Sequence, residues 1–296
     1  MNILIVGAKG QLGRELSDCF ARGYTAIGTP DVLKENNTVY ETDIDECDIA
    51  DLSALRAYAS DKAIGVIFNC AAYTDVPGCE TNVDTALRAN ALGPRNLAIL
   101  AEETGAKLVH VSTDYVFDGE ATVPYVEWDV KNPVSAYGKS KHLGEEYIRE
   151  QTGRYFIVRT SWLYSKYGKN FVKTMLRIAR EKGACRVVAD QKGNPTYAGD
   201  LAHHMLKLAT TEEYGIYHGT GNGICSWFEL TEKIVTLAGI DATVSPCTSA
   251  EFPSPVKRPA FSALDHAAFR TTVGDEFRPW EEALAAFLAE YKEEQN

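Results

Sequence analysis

The sequence predicts an α/β fold, with a doubly wound parallel sheet and a smaller C-terminal region. Short apolar runs alternate with helical patterns along the first half of the 296-residue chain. That alternation is typical of βαβ units, whose strands pair in parallel and are buried on both faces. A glycine-rich turn also joins the first apolar run to the first helical pattern, as in sheets that bind a ligand at the carboxyl ends of their strands.

The first βα unit has the pattern of a dinucleotide-binding turn. Asn2–Val6 is an apolar run that predicts a buried strand, and the apolar positions from residue 12 onward have helical spacing. Glycines recur between them as GxxGxxG, where they permit a tight turn, a close backbone approach to a pyrophosphate, and close helix packing. A purely structural turn is the alternative. We predict a Rossmann-type cofactor site that includes Gly7, Gly10, Gln11, Leu12 and Gly13.

The next segments concern the adenosine half of the cofactor. Residues 24–28 predict a second strand whose end would face the adenosine ribose. Lys34 is a candidate partner for a 2′-phosphate and Asp31 would oppose it, so the choice between NADH and NADPH stays open at this point. Asp48 and Ile49 precede a helical pattern and predict a βα turn near adenine; a solvated acidic loop is the alternative.

Two further strands are predicted to end at the same crevice. Residues 65–72 form an apolar run that ends in small residues, which leave room for a ligand. Residues 84–103 predict a long helix in which Asn90 is either a hydrogen-bonded core amide or a holder of water and backbone near the site. The strand predicted at 107–113 ends in Ser112 and Thr113, whose hydroxyls would point toward the glycine turn.

The helix predicted after Pro133 carries a pair with a chemical use. Tyr137 and Lys141 are four residues apart and therefore share one helix face. An ammonium near a phenol favours phenolate, so such a tyrosine can exchange a proton with a developing alkoxide. The alternative is an exposed pair on an ordinary amphipathic helix.

A strand is predicted at 155–162, with Trp162 at its end, and after it the regular alternation of strands and helices is lost. We predict a nucleotide-binding domain over residues 1–165 and a mainly substrate-binding region over residues 166–296, some segments of which return to the main sheet. Helices are predicted at 170–181, 201–208 and 280–291, and Ser226 with Glu229 fits a helix-opening capping box.

The net charge and the cysteines indicate which kinds of binding partner and which cell compartment to expect. The formal net charge is -11, and no long basic run occurs, so nucleic acid and anionic membrane are excluded as partners. The seven cysteines are scattered without a CxxC pair, which indicates reduced thiols instead of disulfides or a zinc site. We therefore expect a cytoplasmic protein that does not bind a membrane.

These motifs together resemble the extended short-chain dehydrogenase/reductase superfamily, and within it the dTDP-4-dehydrorhamnose reductases. The matching stretches lie in order over most of the chain, and one departure is that Val76 is followed by Pro77 where the family usually has Asp. The stretches are Gly7 to Gly13, Ala71 to Thr74, Ser112 to Gly119, Tyr137 with Lys141, Arg159 to Tyr164, Asp190 with Gln191, Gly193, Pro195 with Thr196, and Arg258 with Pro259.

The resemblance implies a reaction and roles for these residues. Hydride would pass from NADPH, or from NADH, to the C4 keto group of dTDP-4-dehydro-L-rhamnose. Tyr137 would donate the proton, Lys141 would hold the nicotinamide ribose and lower the pKa of the phenol, Thr113 would bind the carbonyl, and Asn90 would complete a proton relay. Further cofactor contacts are implied at Asp48, Ile49, Ala71, Ala72 and Tyr73, and substrate contacts at Thr74, Asp114, Tyr115, Trp162, Asp190, Gln191, Thr196 and Arg258.

Two alternatives remain at this point. One is another nucleotide-sugar reductase, epimerase or dehydratase; the dehydratases use an Asp-Glu pair after the active-site Thr, whereas Thr113 is followed here by Asp114 and Tyr115. The other is a regulatory subunit that binds NADP without catalysis. A monomer or a homodimer is expected. Mg²⁺ is associated with dimers of the family, but Glu15 alone is no metal site, so we assign no metal ligands and the Mg²⁺ requirement stays open at this point.

Overall fold

The computed structural model describes residues 1–252 and 254–293. The strands are β1 Asn2–Val6, β2 Thr38–Thr42, β3 Val66–Asn69, β4 Lys107–Thr113, β5 Tyr155–Thr160, β6 Leu163–Tyr164, β7 Ala184–Val188, β8 Lys192–Gly193, β9 Thr196–Tyr197, β10 Gly215–His218, β11 Cys225–Ser226 and β12 Thr243–Cys247. The helices are α1 Gln11–Arg22, α2 Leu52–Ala59, α3 Val76–Thr81, α4 Val83–Leu87, α5 Gly93–Thr104, α6 Ala136–Gln151, α7 Phe171–Lys182, α8 Ala198–Ala209, α9 Trp227–Ala238, α10 Ala267–Thr271 and α11 Trp280–Glu293.

The main sheet has six strands in the order β2-β1-β3-β4-β5-β10, and every neighbouring pair is parallel. The chain leaves β1 for β2 on one side and then crosses to β3 on the other. The strand order therefore reverses between β1 and β3. In open α/β sheets, ligands bind in the crevice outside the carboxyl ends of the strands at such a switch point.

Helices cover both faces of this sheet, as its buried apolar strands require. On one face α1 and α8 pack through Leu12, Leu16, Leu201 and Met205 against strand residues such as Ile5. The other face is covered by α2, α5 and α6, through Leu55, Leu97, Ala101 and Ile148. The carboxyl ends of the strands are left open between these layers.

A second core lies beyond the main sheet. It joins α7, α9 and α11 around residues such as Leu176, Leu230, Ile234, Leu284 and Phe287. Three two-stranded sheets, β6–β9, β7–β12 and β8–β11, lie in this part of the chain. Gln191 and Trp227 of this second lobe line the same cavity as Thr113 at the end of β4, so the lobe lies over the carboxyl ends of the main strands.

Most of the predicted elements are found, but the second strand lies elsewhere in the sequence. β1, β4 and α6 lie where the sequence predicts them, and the Ser226–Glu229 capping box opens α9. Residues 24–28, however, form only a turn closed by a single bridge between Thr25 and Gly28. The second strand of the sheet is instead β2. It is an edge strand paired with β1 alone and is largely half-exposed or exposed, so it lacks the apolar run that predicts a strand.

The helix predicted over residues 84–103 is interrupted. Between α4 and α5 the residues Arg88–Leu92 form a π-helical turn, and Pro94 follows at the start of α5. Proline has no N–H to donate to the preceding turn, which is a physical reason for the wider turn here. Asn90 lies in that turn. In the part of the chain that the structure describes, no helix is long and apolar enough to cross a bilayer.

Candidate active site

The main cavity has a volume of about 400 Å³ and opens at the carboxyl ends of the main-sheet strands. Residues of the second lobe close its far side. The structure brings together in its wall most of the residues expected for catalysis and substrate contact. The predicted site residues that line it are Gly10, Gln11, Leu12, Ala72, Thr74, Thr113, Asp114, Tyr115, Tyr137, Lys141, Trp162, Gln191 and Arg258.

A second cavity of about 450 Å³, here the glycine-turn cavity, shares Gly10, Cys70 and Ala72 with the main cavity. The remaining predicted cofactor residues, apart from Gly13, line it: Gly7, Asp48, Ile49, Ala71 and Tyr73. The two cavities therefore adjoin at the switch point between β1 and β3.

The glycine turn fits the diphosphate of a dinucleotide. Gly7 has φ +74°, and a Cβ there would lie 2.6 Å from the Ala71 nitrogen. A Cβ at Gly13 would lie 2.2 Å from the Gly7 oxygen, so α1 packs directly on the turn. Gly10 caps α1 and supplies no side-chain acceptor to its first turn. Free N–H groups at a helix N-terminus, together with the helix dipole, attract a phosphate.

Thr113 and Asp114 form a hydrogen-bonded pair at the end of β4. The Thr113 hydroxyl donates to Asp114 Oδ1 at 2.9 Å and accepts from the Tyr115 nitrogen at 3.2 Å. Burial raises the pKa of Asp114 to about 6, although the Ser262 and Thr113 hydroxyls oppose that shift. Among the described residues, Asp114 Oδ2 has no hydrogen-bond partner of normal geometry. This buried oxygen can accept a hydroxyl from a ligand in the main cavity.

Tyr137 lies in the first turn of α6, beside this pair. A Cβ at the next residue, Gly138, would lie 2.2 Å from the Tyr115 oxygen, so only glycine lets α6 approach the end of β4 this closely. The Tyr137 and Tyr115 rings meet edge to face, with centroids 5.6 Å apart. Burial raises the pKa of Tyr137, while its hydrogen bond with Thr113 acts in the opposite direction. The phenol is therefore protonated at neutral pH.

Lys141 is almost completely buried one turn further along α6. Its Nζ donates to the Val111 oxygen at 2.7 Å and lies 3.3 Å from His110 Nε2. Burial lowers the pKa of Lys141 to about 8, against the opposing effects of Glu145 and Cys70. One expectation is not met: the pKa of Tyr137 is raised, mainly by burial, and Lys141 is not among the main groups that shift it.

Asn90 lies outside both cavities and is completely buried. Its Oδ1 accepts from the Tyr73 nitrogen at 2.8 Å, and its Nδ2 donates to the Tyr73 oxygen and to Ser140 Oγ, each at 3.0 Å. The structure thus gives Asn90 the role of a core amide that fixes the backbone of the cofactor loop onto α6. Its part in a proton relay stays a prediction.

Two tryptophans form one wall of the main cavity. Trp162 stacks on Trp227 with ring centroids 3.5 Å apart and planes at 10°. Trp162 also has φ +48°, a left-handed conformation that costs a non-glycine residue about 1–3 kcal/mol. Sequence reasoning missed Trp227. The available signal was its position directly after the Ser226 cap. The first turn of a helix that follows a β-strand lies at the end of that strand, where ligands collect.

Of the residues expected at the nucleotide end of the substrate, only some line the main cavity. Gln191 and Arg258 line the main cavity, and Arg258 is exposed there. Asp190 lies outside it and accepts from the Ser249 nitrogen and hydroxyl. Thr196 is completely buried in β9 and does not reach either cavity.

Two further features bear on the expected ligands. Pro77, which replaces the Asp usual in the family, lies in the first turn of α3 after the Asp75 cap, a position that proline tolerates. Within residues 1–252 and 254–293, no three His, Cys, Asp or Glu side chains form a possible metal site. Glu15 is buried and pairs with Arg22.

Comparison with known proteins gives the family. The model of the RmlD substrate binding domain matches residues 1–293. The spore coat polysaccharide biosynthesis protein SpsK of Bacillus subtilis (strain 168) is 40% identical over 97% of each chain. A dTDP-4-dehydrorhamnose reductase of Aggregatibacter actinomycetemcomitans is 37% identical over 95% of this chain and 96% of its own. A probable dTDP-4,6-dihydroxy-2-methyloxan-3-one 4-ketoreductase of Streptomyces antibioticus is 38% identical, over 96% and 93%.

Solved structures of similar proteins superimpose on this chain over nearly its full length. A dTDP-4-dehydrorhamnose reductase of Clostridium acetobutylicum ATCC 824 superimposes with a TM-score of 0.92 at 43% identity, over 99% of this chain and 100% of its own. The enzyme of the same name from Bacillus anthracis str. Ames, solved in complex with NADP, gives 0.90 at 39% identity, over 98% and 99%. The Rossmann-like α/β fold predicted from the sequence is therefore confirmed.

Proposed function

Because the chain belongs to the family of the RmlD substrate binding domain, we propose that it reduces the C4 keto group of dTDP-4-dehydro-L-rhamnose to dTDP-L-rhamnose, with NADPH or NADH as the reductant. The observation that carries this proposal is the position of Thr113, Tyr137 and Lys141 in one cavity beside the glycine turn. A carbonyl reductase needs a proton donor and a carbonyl-binding hydroxyl at that place.

The cofactor would lie across the two adjoining cavities. The N–H groups at the start of α1 would hold its diphosphate, and Asp48, Ile49, Ala71 and Tyr73 would line the adenosine side. Lys141 would hold the nicotinamide ribose. When bound, the reduced nicotinamide supplies the hydride.

Residues of the main cavity would stabilise the negative charge that develops on the keto oxygen and would supply the proton to it. Thr113 would turn its hydroxyl hydrogen from Asp114 Oδ1 to the keto oxygen, and Tyr137 would protonate that oxygen as negative charge develops on it. Burial suits this direction of reaction because it keeps the phenol of Tyr137 protonated at neutral pH. Asp114 Oδ2 would accept a sugar hydroxyl.

The far end of the cavity would hold the nucleotide. Arg258 lines the cavity and, among the described residues, has neither an ion pair nor a side-chain hydrogen bond, so it can bind the diphosphate. Gln191 would contact the same end of the substrate. Trp162 and Trp227 offer an apolar wall for the sugar or the base.

A second candidate is the reduction of a 4-keto group in another dTDP-linked deoxy sugar. The Streptomyces antibioticus relative favours it, since it is a probable ketoreductase with a different named substrate at 38% identity. The cavity accounts for a keto sugar and a diphosphate but does not distinguish one deoxy sugar from another.

The direct test measures turnover of the unmodified protein and of a variant that lacks the proposed proton donor. The protein is mixed with dTDP-4-dehydro-L-rhamnose and reduced cofactor, and cofactor oxidation is followed. Tyr137→Phe is expected to lower kcat about 100-fold or more, because it removes the proton donor, while cofactor affinity is retained. Tyr147→Phe on the same helix, outside both cavities, is the matched control and is expected to behave as the unmodified protein.

The outcomes separate the candidates. Oxidation only with other dTDP-keto sugars would favour the second candidate. Cofactor binding without turnover of any keto sugar would favour the regulatory subunit, and loss of water from a dTDP-hexose would favour a dehydratase. We further propose a cytoplasmic location, which the seven free cysteines support, and a monomer or homodimer in solution.

A further inference from the structure

We propose that Asn170 is a positioning residue for the cofactor, because it holds the Gln11 side chain with its amide N–H groups toward the main cavity. This role rests on the proposed function, which requires a bound dinucleotide. Asn170 belongs to the second lobe and lines neither the main cavity nor the glycine-turn cavity. It therefore acts on the cofactor only through Gln11.

The segment that leads into α7 lies along α1. Residues 165–170 join β6 to α7. In this segment Lys166 pairs with Asp18 of α1 at 3.4 Å, and the Tyr167 hydroxyl donates to the same carboxylate. Arg14 of α1 lies over the Tyr167 ring, 5.6 Å from its centroid. Side-chain contacts thus join the start of the second lobe to the helix that follows the glycine turn.

The backbone around Asn170 determines which way its own amide faces. Asn170 caps α7: its Oδ1 accepts from the Lys173 nitrogen at 3.0 Å, so the other end of the amide is the Nδ2 donor. That Nδ2 donates to the Ser165 oxygen at 2.7 Å. Lys173 fixes the same segment, because its Nζ donates to the Lys166 and Gly168 oxygens, each at 2.8 Å. Both ends of the Asn170 amide are therefore held by backbone groups.

The orientation of the Gln11 amide follows from that of Asn170. Asn170 Nδ2 also donates to Gln11 at 3.0 Å, so the Gln11 atom at that place is the acceptor Oε1. Gly168, with φ +61°, packs closely on the same side chain, since a Cβ there would lie 3.0 Å from Gln11 Cγ. Gln11 Nε2 is the end of the amide that is left, and among the described residues it has no hydrogen-bond partner.

The position of Gln11 gives this free donor a use. Gln11 is the first residue of α1 and lines the main cavity beside Gly10, which lines both cavities. The backbone N–H groups of α1 would hold the cofactor diphosphate here. An amide N–H is a further donor for a phosphate oxygen, whereas an amide oxygen can only accept. By fixing the favourable orientation in advance, Asn170 reduces the side-chain ordering that cofactor binding requires.

The test measures NADPH binding and the melting temperature, so it needs no sugar substrate. Dissociation constants are measured by titration calorimetry for the unmodified protein, Asn170→Asp, Gln11→Ala and the double variant. Asn170→Asp still caps α7, but its carboxylate accepts from Gln11 Nε2 and so turns the amide oxygen toward the cavity. We expect it to weaken NADPH binding about tenfold, with a melting temperature within a few degrees of the unmodified protein.

The Gln11→Ala background separates the proposed role from the added charge. Without the Gln11 amide, Asn170→Asp should weaken NADPH binding by less than about twofold further. Thr174→Asp is the matched control: it adds the same charge one turn along α7, away from Gln11, and should leave NADPH affinity within about twofold because exposed charges are screened.

The outcomes distinguish this role from the proposed function. Unchanged binding in Asn170→Asp or Gln11→Ala, or equal losses from Asn170→Asp in both backgrounds, would overturn the role of Asn170 alone. Failure of the unmodified protein to bind NADPH or NADH would overturn the proposed function with it. If Asn170→Asp does not fold, Asn170→Ser replaces it, since serine caps α7 but does not reach Gln11. It is expected to weaken binding about threefold, and unweakened binding would again overturn the role.

Discussion

At the scale of single residues, the main cavity holds two groups that titrate near neutral pH. Asp114 has a pKa raised to about 6 and Lys141 a pKa lowered to about 8, both because of burial. Tyr137 keeps its proton across this range. The proposed reaction needs Asp114 as the carboxylate that accepts a sugar hydroxyl and Lys141 as the ammonium that holds the ribose.

We therefore expect a bell-shaped dependence of kcat/KM on pH. Activity should rise as pH increases through about 6, where Asp114 ionises, and fall as pH increases through about 8, where Lys141 loses its charge. The measurement is kcat/KM across pH with saturating cofactor. Asp114→Asn should remove the acidic limb and leave the alkaline one; an acidic limb that survives in this variant would show that another group is responsible.

A chain of buried hydrogen bonds favours the uncharged form of Lys141. Asn69 Oδ1 accepts from the Ala71 nitrogen at 3.1 Å, so its Nδ2 faces His110 Nδ1, at 2.9 Å, as a donor. Burial and Lys141 keep the pKa of His110 well below its usual value, so its ring is neutral and its proton lies on Nε2. That N–H points to Lys141 Nζ, where an amine can accept it and an ammonium cannot.

Removing that donor should raise the pKa of Lys141. In His110→Phe we expect the alkaline limb of the pH profile to move upward by about one unit, because the ammonium no longer faces an N–H group. The profile is measured beside the melting temperature. A lower melting temperature with an unmoved alkaline limb would mean that His110 only packs.

At the scale of elements, a buried ion pair fixes α6 on the sheet. Arg159 of β5 and Glu145 of α6 are completely buried, with Arg159 donating to both carboxylate oxygens at 2.9 and 2.7 Å. Ser112, at the edge of the main cavity, donates to the same carboxylate at 2.6 Å. Burial alone would raise the pKa of Glu145, but Arg159 and Ser112 hold it below the usual value. The pair therefore stabilises the fold in full above the ordinary pKa of a glutamate, and this stabilisation is lost as pH falls through the lowered pKa of Glu145.

Glu145→Gln is expected to lower the free energy of unfolding by about 3 kcal/mol, because it leaves the Arg159 guanidinium buried without its counter-charge. Urea denaturation measures the loss. The matched control is Glu146→Gln on the same helix, which breaks an exposed pair with Arg149 and should cost under about 1 kcal/mol. Equal losses in the two variants would contradict the special role of the buried pair.

Elements with strong apolar periodicity could be predicted from the sequence, and those shaped by tertiary contacts could not. β4 and α6 carry their own signals, and the ends of these two elements are enough to predict that Thr113, Tyr137 and Lys141 meet at one crevice. β2 has one neighbouring strand and exposed side chains, so only its pairing with β1 identifies it. The π-helical turn precedes Pro94, which the sequence displays, but its Asn90 bonds the Tyr73 backbone, a tertiary contact that the sequence does not display.

At the scale of the whole molecule, the two lobes share structure across the predicted boundary at residue 165. β10 pairs with β5 and completes the six-stranded sheet, although it comes late in the chain. α8 packs on α1, and its Leu201 and Met205 are completely buried in the core of the main sheet. Glu290 of α11 pairs with Arg22 of α1 at 3.5 Å and with Lys166 at 3.0 Å.

Residues 1–165 alone should therefore not fold as an independent domain. Without α8 the fragment would expose the apolar face around Ile5 and Leu16, and without β10 the backbone of β5 would be an unpaired edge. We expect no cooperative unfolding transition and no binding of NADH by this fragment, measured by circular dichroism and calorimetry. Co-expression of residues 166–296 as a separate chain is the control, because it restores α8 and β10, and should recover binding in part. A fragment 1–165 that unfolds cooperatively and binds NADH unaided would show instead that the nucleotide-binding half is complete before the second lobe begins.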